Sequence, residues 1–88
     1  MKSKLSVIIP CYNEEATIKK CIENVLAVAD EKLKIEIIVV DDASEDRSLL
    51  IAQEISNRHA NVIVLAHEKN EGKGASIRTG VQDASGDF

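Results

Sequence analysis

Apolar and polar positions repeat one plan three times along the chain: a short run of aliphatic residues, a turn of polar residues, then an amphipathic stretch of about 12 to 15 residues. The aliphatic runs are Leu5 to Pro10, Ile35 to Val40 and Val62 to Ala66, rich in Val and Ile and nearly free of charge. Such runs suit strands of a parallel sheet covered on both faces. Between them the period becomes helical. Ile18, Cys21, Ile22, Val25, Leu26 and Ala29 fall at i, i+3, i+4, i+7, i+8 and i+11, while Lys19, Lys20, Glu23 and Asn24 lie outside that stripe. Asn13 is the expected N-cap of this first helix, with Glu14 and Glu15 in its first turn, where carboxylates favour the positive end of the helix dipole.

A second helix is expected after Ser44, opening on Glu45 and Asp46, burying Ser48, Ile51, Ala52 and Ile55 and ending near His59. A third starts around Gly72 to Gly74, turns Ile77, Gly80, Val81 and Ala84 inward and stops at Gly86, so that Asp87 and Phe88 begin a fourth strand. The order β-α-β-α-β-α predicts an α/β fold, a three-layer α-β-α Rossmann-like parallel sheet, in one domain spanning residues 1–88. Because β-α-β crossovers are right-handed, all three strands end at one edge, which is where such sheets bind ligands. Tyr12, Asn13 and Glu14 follow the first strand there, Asp41, Asp42 and Ser44 the second, and the stretch from His67 to Lys73 the third.

Composition narrows the chemistry. Asp and Glu number 15 against 11 Lys and Arg, a net charge of −4 that offers no cationic surface to a phosphate backbone. Tyr12 and Phe88 are the only aromatic residues, too few to stack successive bases, so a nucleic-acid partner is not expected. The longest apolar runs, Val25 to Ala29 and Val62 to Ala66, are far short of the roughly 18 residues of a spanning helix. Lys2 and Lys4 before an apolar run imitate a signal peptide, but Pro10, Asn13, Glu14 and Glu15 end that run early, so a cytoplasmic chain is expected. Cys11 and Cys21 lack the spacing of a disulfide framework or a metal knuckle and read as reduced packing thiols, Cys21 in the apolar stripe and Cys11 at the end of the first strand. His59 and His67 read as partly exposed loop residues.

Three constellations carry chemistry. Adjacent strand residues face opposite sides, so one carboxylate of Asp41 and Asp42 points into the crevice and the other back toward its loop. The crevice carboxylate can accept hydrogen bonds from a base or a ribose; capping of the next helix is the alternative. The segment from Asn70 to Ala75 has the makings of a phosphate cradle, with glycines, a helix N-terminus and the charge of Lys73, although it fits neither GxxxxGK[ST] nor GxGxxG. Arg78, five residues beyond Lys73, either reaches the same anion or lies on a solvated face. Gly80 inside a helix points to close packing.

The order of the motifs says more than each alone. Ser6-Val7-Ile8-Ile9-Pro10-Cys11-Tyr12-Asn13-Glu14-Glu15, then Glu36 to Asp46 with its central Val40-Asp41-Asp42-Ala43-Ser44, then Asn70-Glu71-Gly72-Lys73-Gly74-Ala75-Ser76-Ile77-Arg78-Thr79-Gly80 together resemble the family 2 glycosyltransferases of the GT-A fold. The third block is most similar to the branch of dolichol-phosphate mannosyltransferases and polyprenyl-phosphate glycosyltransferases. The resemblance implies that residues 1–88 are the truncated nucleotide-sugar-binding part of an inverting glycosyltransferase. It would take a nucleoside-diphosphate sugar as donor and a polyprenyl phosphate as acceptor, with the full-length protein at the cytoplasmic face of a membrane. By the same resemblance Pro10, Tyr12 and Glu14 line the nucleotide pocket, Asp42 meets the base, Lys73 and Arg78 lie near the ribose or phosphates, and Asp41 counts with them among the nucleotide-sugar-binding residues.

The family's metal-binding Asp-x-Asp is absent from these residues, as is a later catalytic base; Asp83 and Asp87 do not make that motif. A divalent cation, magnesium or manganese, is therefore expected to serve the full-length enzyme with no ligand from this chain, and the chain alone is expected to be inactive. An uncovered sheet edge would then drive self-association. Two other classes stay open. A non-catalytic nucleotide-binding module would use the same crevice without metal-dependent turnover, and a phospho-acceptor receiver domain would place its acidic pair after strand one and an acceptor Asp at the end of strand three.

Overall fold

A computed structural model describes residues 3–30 and 33–86. Its elements alternate as the pattern predicts: β1 (Ser3–Cys11), α1 (Ile18–Leu26), β2 (Leu33–Asp41), α2 (Ser48–Arg58), β3 (Val62–Ala66) and α3 (Lys73–Asp83). The strands form one parallel sheet in the order β1-β2-β3. Val7 sits beside Ile37, and Ile37 beside Val62, so the rows of side chains run straight across the sheet. β1 and β2 are each longer than their aliphatic runs, because flanking polar residues extend the ladder from Ser3 beside Leu33 to Cys11 beside Asp41.

The strand order decides which helices share a face. Both crossovers step in the same direction, so α1 and α2 cover one face of the sheet. Ile9 and Cys11 of β1 and Ile35, Ile37 and Val39 of β2 form the core there with Ile18, Ile22, Ala52, Ile55 and Val62. At about 1.5 to 3 kcal/mol for each fully buried large aliphatic side chain, this layer supplies most of the driving force for folding. α3 reverses direction and packs across β1 and β2 on the other face, over Ile8, Ile38 and Val40.

The contact of α3 is made by small residues. Ser76 and Gly80 are its buried positions, and a Cβ built at Gly80 would lie 2.5 Å from Ile8 Cγ2. The backbone therefore rests almost on the strand, and the expected inward face of Ile77, Gly80, Val81 and Ala84 is corrected: Ile77 is 41% and Val81 58% exposed. The helix ends at Asp83, with Ala84 already extended, so Gly86 does not terminate it. The expected fourth strand at Asp87 and Phe88 lies outside the described residues.

The start of α1 also differs from expectation. Asn13 is not its N-cap; it has φ 53° and its Oδ1 accepts the Glu45 N–H at 2.8 Å, while its own N–H donates to Ser44 Oγ at 2.9 Å. Glu14 and Glu15 precede the helix, and their N–H groups donate to Ser48 Oγ and Asp46 Oδ2. Donors that a local cap would satisfy are taken by side chains entering α2, and the helix begins at Ile18, flanked by Thr17. In so short a helix the buried line is set by Ile18 and Ile22, one turn apart, which leaves Cys21 exposed on its flank; Ala29 lies past its end and is also exposed. α2 likewise begins at Ser48 rather than directly after Ser44, with the Ser48 N–H donating to Asp46 Oδ1 at 2.9 Å.

Candidate functional site

At the carboxyl edge of the sheet the ends of β1 and β2 and the start of α3 enclose a cavity of about 370 Å³. Its walls are Pro10, Cys11, Tyr12 and Glu14 from β1 and its loop, Asp42 after β2, and Asn70, Gly72, Lys73 and Ser76 at the entrance to α3. Tyr12 is 44% exposed there, an aromatic residue open to stacking.

Asp42 organises this edge. The alternation of the strand carries past its end: Asp41 lies on the α1/α2 side, where its Oδ2 accepts the Ser44 N–H at 3.0 Å, and Asp42 lines the cavity. Asp42 Oδ1 meets His67 Nδ1 and the Glu71 N–H, each at 2.8 Å, and Oδ2 accepts the Gly72 N–H at 2.8 Å. Asn70 Nδ2 donates to the Asp42 carbonyl at 3.3 Å, closing the loop around the residue. The hydrogen bond from His67, together with those from the Glu71 and Gly72 backbone, holds the Asp42 carboxyl below the usual carboxylate range even though burial opposes ionisation. One bond partner explains the glycine that follows: Gly72 adopts φ 97°, a left-handed conformation open to a residue without Cβ, and this turn aims its N–H at Asp42. Its carbonyl then accepts the first bonds of α3, from the Ser76 N–H and Ser76 Oγ at 3.1 Å each.

Five of the seven residues singled out from sequence, Pro10, Tyr12, Glu14, Asp42 and Lys73, meet in the cavity wall. Asp41 does not, for the reason of strand alternation. Its Oδ1 is buried without a partner, the one such side-chain atom among the described residues. Arg78 does not either: it is exposed on α3 with its guanidinium folded back so that a Cβ on Gly74 would lie 3.6 Å from it.

Three residues outside the seven also shape this edge. Cys11 is buried in the cavity wall, and burial pushes its thiol up to about 11, which keeps it protonated. Ser76 lines the cavity because it sits one helical turn after Gly72 on the buried side of α3. His67 is a loop residue of intermediate exposure, as expected, but its side chain is only 9% exposed and is held from both nitrogens, by Asp42 and by Thr79 Oγ1 at 2.9 Å. His59 is exposed, as expected. Among the described residues no three His, Cys, Asp or Glu side chains converge as a metal site. No helix among them is long and apolar enough to cross a membrane.

Comparison with known proteins gives this geometry a family. The chain is 38% identical over 82 residues to glycosyltransferase AglE of Haloferax volcanii, covering 93% of this chain and 27% of that protein. It is 34% identical over 88 residues to the dolichyl-phosphate beta-glucosyltransferase ALG5D of Trichomonas vaginalis, again covering 93% of this chain and 27% of the relative. Among solved structures, the mannosyltransferase PcManGT of Pyrobaculum calidifontis, in complex with GDP-Man and Mn2+, superposes with a TM-score of 0.82 at 26% identity over 98% of this chain and 26% of its own. Residues 1–349 of S. aureus TarS superpose at 0.80 with 32% identity, over 98% of this chain and 25% of theirs. The chain thus shares its architecture with part of the GT-A glycosyltransferases, and it spans between 14 and 32% of the length of the curated relatives it matches. The model of glycosyl transferase family 2 matches residues 6–88, and the chain belongs to that family.

Proposed function

We propose that the cavity at the carboxyl edge of the sheet holds the nucleotide of a nucleoside-diphosphate sugar, and that the whole enzyme transfers that sugar with inversion to an acceptor such as a polyprenyl phosphate. The observation that carries the reading is the meeting of Pro10, Tyr12, Glu14, Asp42 and Lys73 around one cavity beside the first turn of α3. Tyr12 offers a stacking face to a base. Asp42 offers a fixed carboxylate to an N–H or hydroxyl donor. Lys73 places a cation where a diphosphate would approach the N-terminal N–H groups of α3. Asp41 and Arg78 contribute from outside the wall, Asp41 by holding the loop that follows β2 and Arg78 by adding positive charge over Gly74.

In the whole enzyme a divalent cation would supply charge neutralisation at the diphosphate leaving group. The described residues bring no metal-ligand set together, so no step is assigned to a metal on them. Residues 1–88 form one nucleotide-binding domain that recognises the donor without turning it over, and the whole protein works at the cytoplasmic face of a membrane.

Titration with UDP and GDP, followed by backbone amide shifts, tests the site. Shifts concentrated at residues 10–14, 42 and 70–76, reduced in Lys73→Ala, are expected; shifts elsewhere, or none, overturn the reading. Incubation with nucleotide sugars, magnesium or manganese and a polyprenyl phosphate tests the second part: nucleoside diphosphate released above the blank would show that the chain alone is catalytic.

A further inference from the structure

His67 stands behind the cavity wall, touching none of its space, yet joined to three elements that form it. Its Nδ1 meets Asp42 Oδ1 at 2.8 Å at the end of β2, its Nε2 meets Thr79 Oγ1 at 2.9 Å on α3, and the Glu71 carboxylate, 54% exposed, lies 3.7 Å from Nδ1 in the loop between them. A carboxylate only accepts hydrogen bonds, and Asp42 is ionised in this setting, so Nδ1 carries the proton toward it. At the other nitrogen the Thr79 hydroxyl proton serves either Nε2 or the Ala75 carbonyl, 3.0 Å from Oγ1. Both arrangements leave the ring in the same place and keep Nδ1–H on Asp42.

Counting acceptors shows what this bond does. A carboxylate offers about four lone-pair sites. On Asp42, Oδ1 uses two of its sites on His67 and the Glu71 N–H, and Oδ2 uses one on the Gly72 N–H. One acceptor site on Oδ2 is left for a ligand in the cavity. Without the Nδ1–H, Oδ1 would have a free site of its own, and the carboxylate could turn away from the two backbone donors that shape the Glu71–Gly72 turn.

We infer that His67 is a positioning residue for the cavity: its Nδ1–H fixes the Asp42 carboxylate, and through it the Glu71–Gly72 turn and the first turn of α3, in the arrangement that receives a nucleotide. The inference rests on the nucleotide reading of the cavity. It extends that reading to a residue that contacts no ligand.

The amide group of Asn places its nitrogen at the same bond distance from Cα as histidine Nδ1, and that of Gln reaches as far as Nε2. His67→Asn therefore keeps the donor to Asp42 and loses Thr79, His67→Gln does the reverse, and His67→Ala loses both. Titrated with UDP and GDP, His67→Ala and His67→Gln should bind about tenfold more weakly than the natural chain, while His67→Asn stays within about threefold. In long-range 15N spectra Nδ1 should show the shift of a protonated nitrogen. Equal loss in Asn and Ala, no loss in Ala, or an unprotonated Nδ1 would each overturn the role. If the natural chain binds neither nucleotide, the nucleotide reading falls, and amide exchange decides the role of His67 by itself. The Glu71 and Gly72 N–H groups should exchange about tenfold faster in Ala and regain protection in Asn; unchanged exchange in Ala overturns it.

Discussion

Helix α3 is tied to the sheet at both ends by carboxylates from one strand and one face, and the two ties differ in kind. At its start Asp42, just beyond β2, takes the Glu71 and Gly72 N–H groups. Just past its end Glu36 of β2 takes the Ser85 N–H at 3.0 Å and the Ser85 hydroxyl at 2.7 Å. Ser6 Oγ donates to Glu36 at 3.2 Å and Lys4 Nζ pairs with it at 3.0 Å, while the Gly86 N–H donates to Ser6 Oγ at 2.8 Å. Glu36 is thereby surrounded by donors within the protein, which suits an anchor. Asp42 keeps one acceptor site and a cavity beside it, which suits a receptor. A buried carboxylate is costly unless its donors are supplied, and how many of its acceptor sites the fold fills separates the structural end from the binding end.

Substitutions can set the two ends apart. Asp42→Ala should have the largest effect: loss of measurable UDP and GDP binding together with the greatest drop in denaturant midpoint, since the turn before α3 loses its organising acceptor. An unchanged midpoint would show that the loop holds itself.

Glu36→Gln should cost on the order of 2 kcal/mol in urea, the scale of hydrogen bonds to a charged group, and leave nucleotide affinity within about twofold. The Ser85 hydroxyl, with the Ser85 N–H, Lys4 and Ser6, lowers the Glu36 carboxyl to about 2 from 4.5. Its contribution is therefore full above pH 4.5 and lost as the pH falls toward 2. The gap between Glu36→Gln and the natural chain should narrow between pH 5 and pH 3; a constant gap would mean that the charge contributes nothing.

Gly80→Ala tests the contact between the ties and should destabilise by about 1 to 3 kcal/mol, despite the better helix propensity of alanine, because a Cβ there collides with Ile8. Ala43→Gly acts at the Asp42 end alone: Ala43 holds φ 60°, and relieving it should raise stability by about 0.5 kcal/mol after the entropy of glycine is subtracted. Cys21→Ser, on an exposed flank remote from both ties, should change the midpoint by less than about 0.5 kcal/mol.

Residues whose role is set by neighbours in sequence were readable, and those set by distant partners were not. Three strands follow from three continuous aliphatic runs, and the divergence of Asp41 from Asp42 follows from the alternation of side chains along a strand. The inward face of α3 was misread because Ile77 and Val81 are the apolar choice, whereas the closeness of Ile8 admits only Ser76 and Gly80. Cys21 was misplaced because a pattern drawn over 12 positions does not survive in a helix of nine residues. Glu36 did leave a trace, as a charge inside an aliphatic strand, and that is where a search for a buried partner begins. For His67 the partners stand 25 and 12 residues away, with nothing nearby to mark them.

The clasp between the two loops at the carboxyl edge has a consequence for how this chain can vary. Surface loops ordinarily accept insertions at small cost. Here the N–H groups of Asn13, Glu14 and Glu15 donate to Ser44, Ser48 and Asp46 respectively, and Asn13 Oδ1 accepts the Glu45 N–H. One residue added to either loop would shift that matching and strip several partners at once. The β1–α1 and β2–α2 loops are therefore locked to each other in length, and Asn13, Ser44, Asp46 and Ser48 are held in side chain as well, while Glu14, Glu15 and Glu45, which give only their backbone N–H groups to the clasp, are free to change.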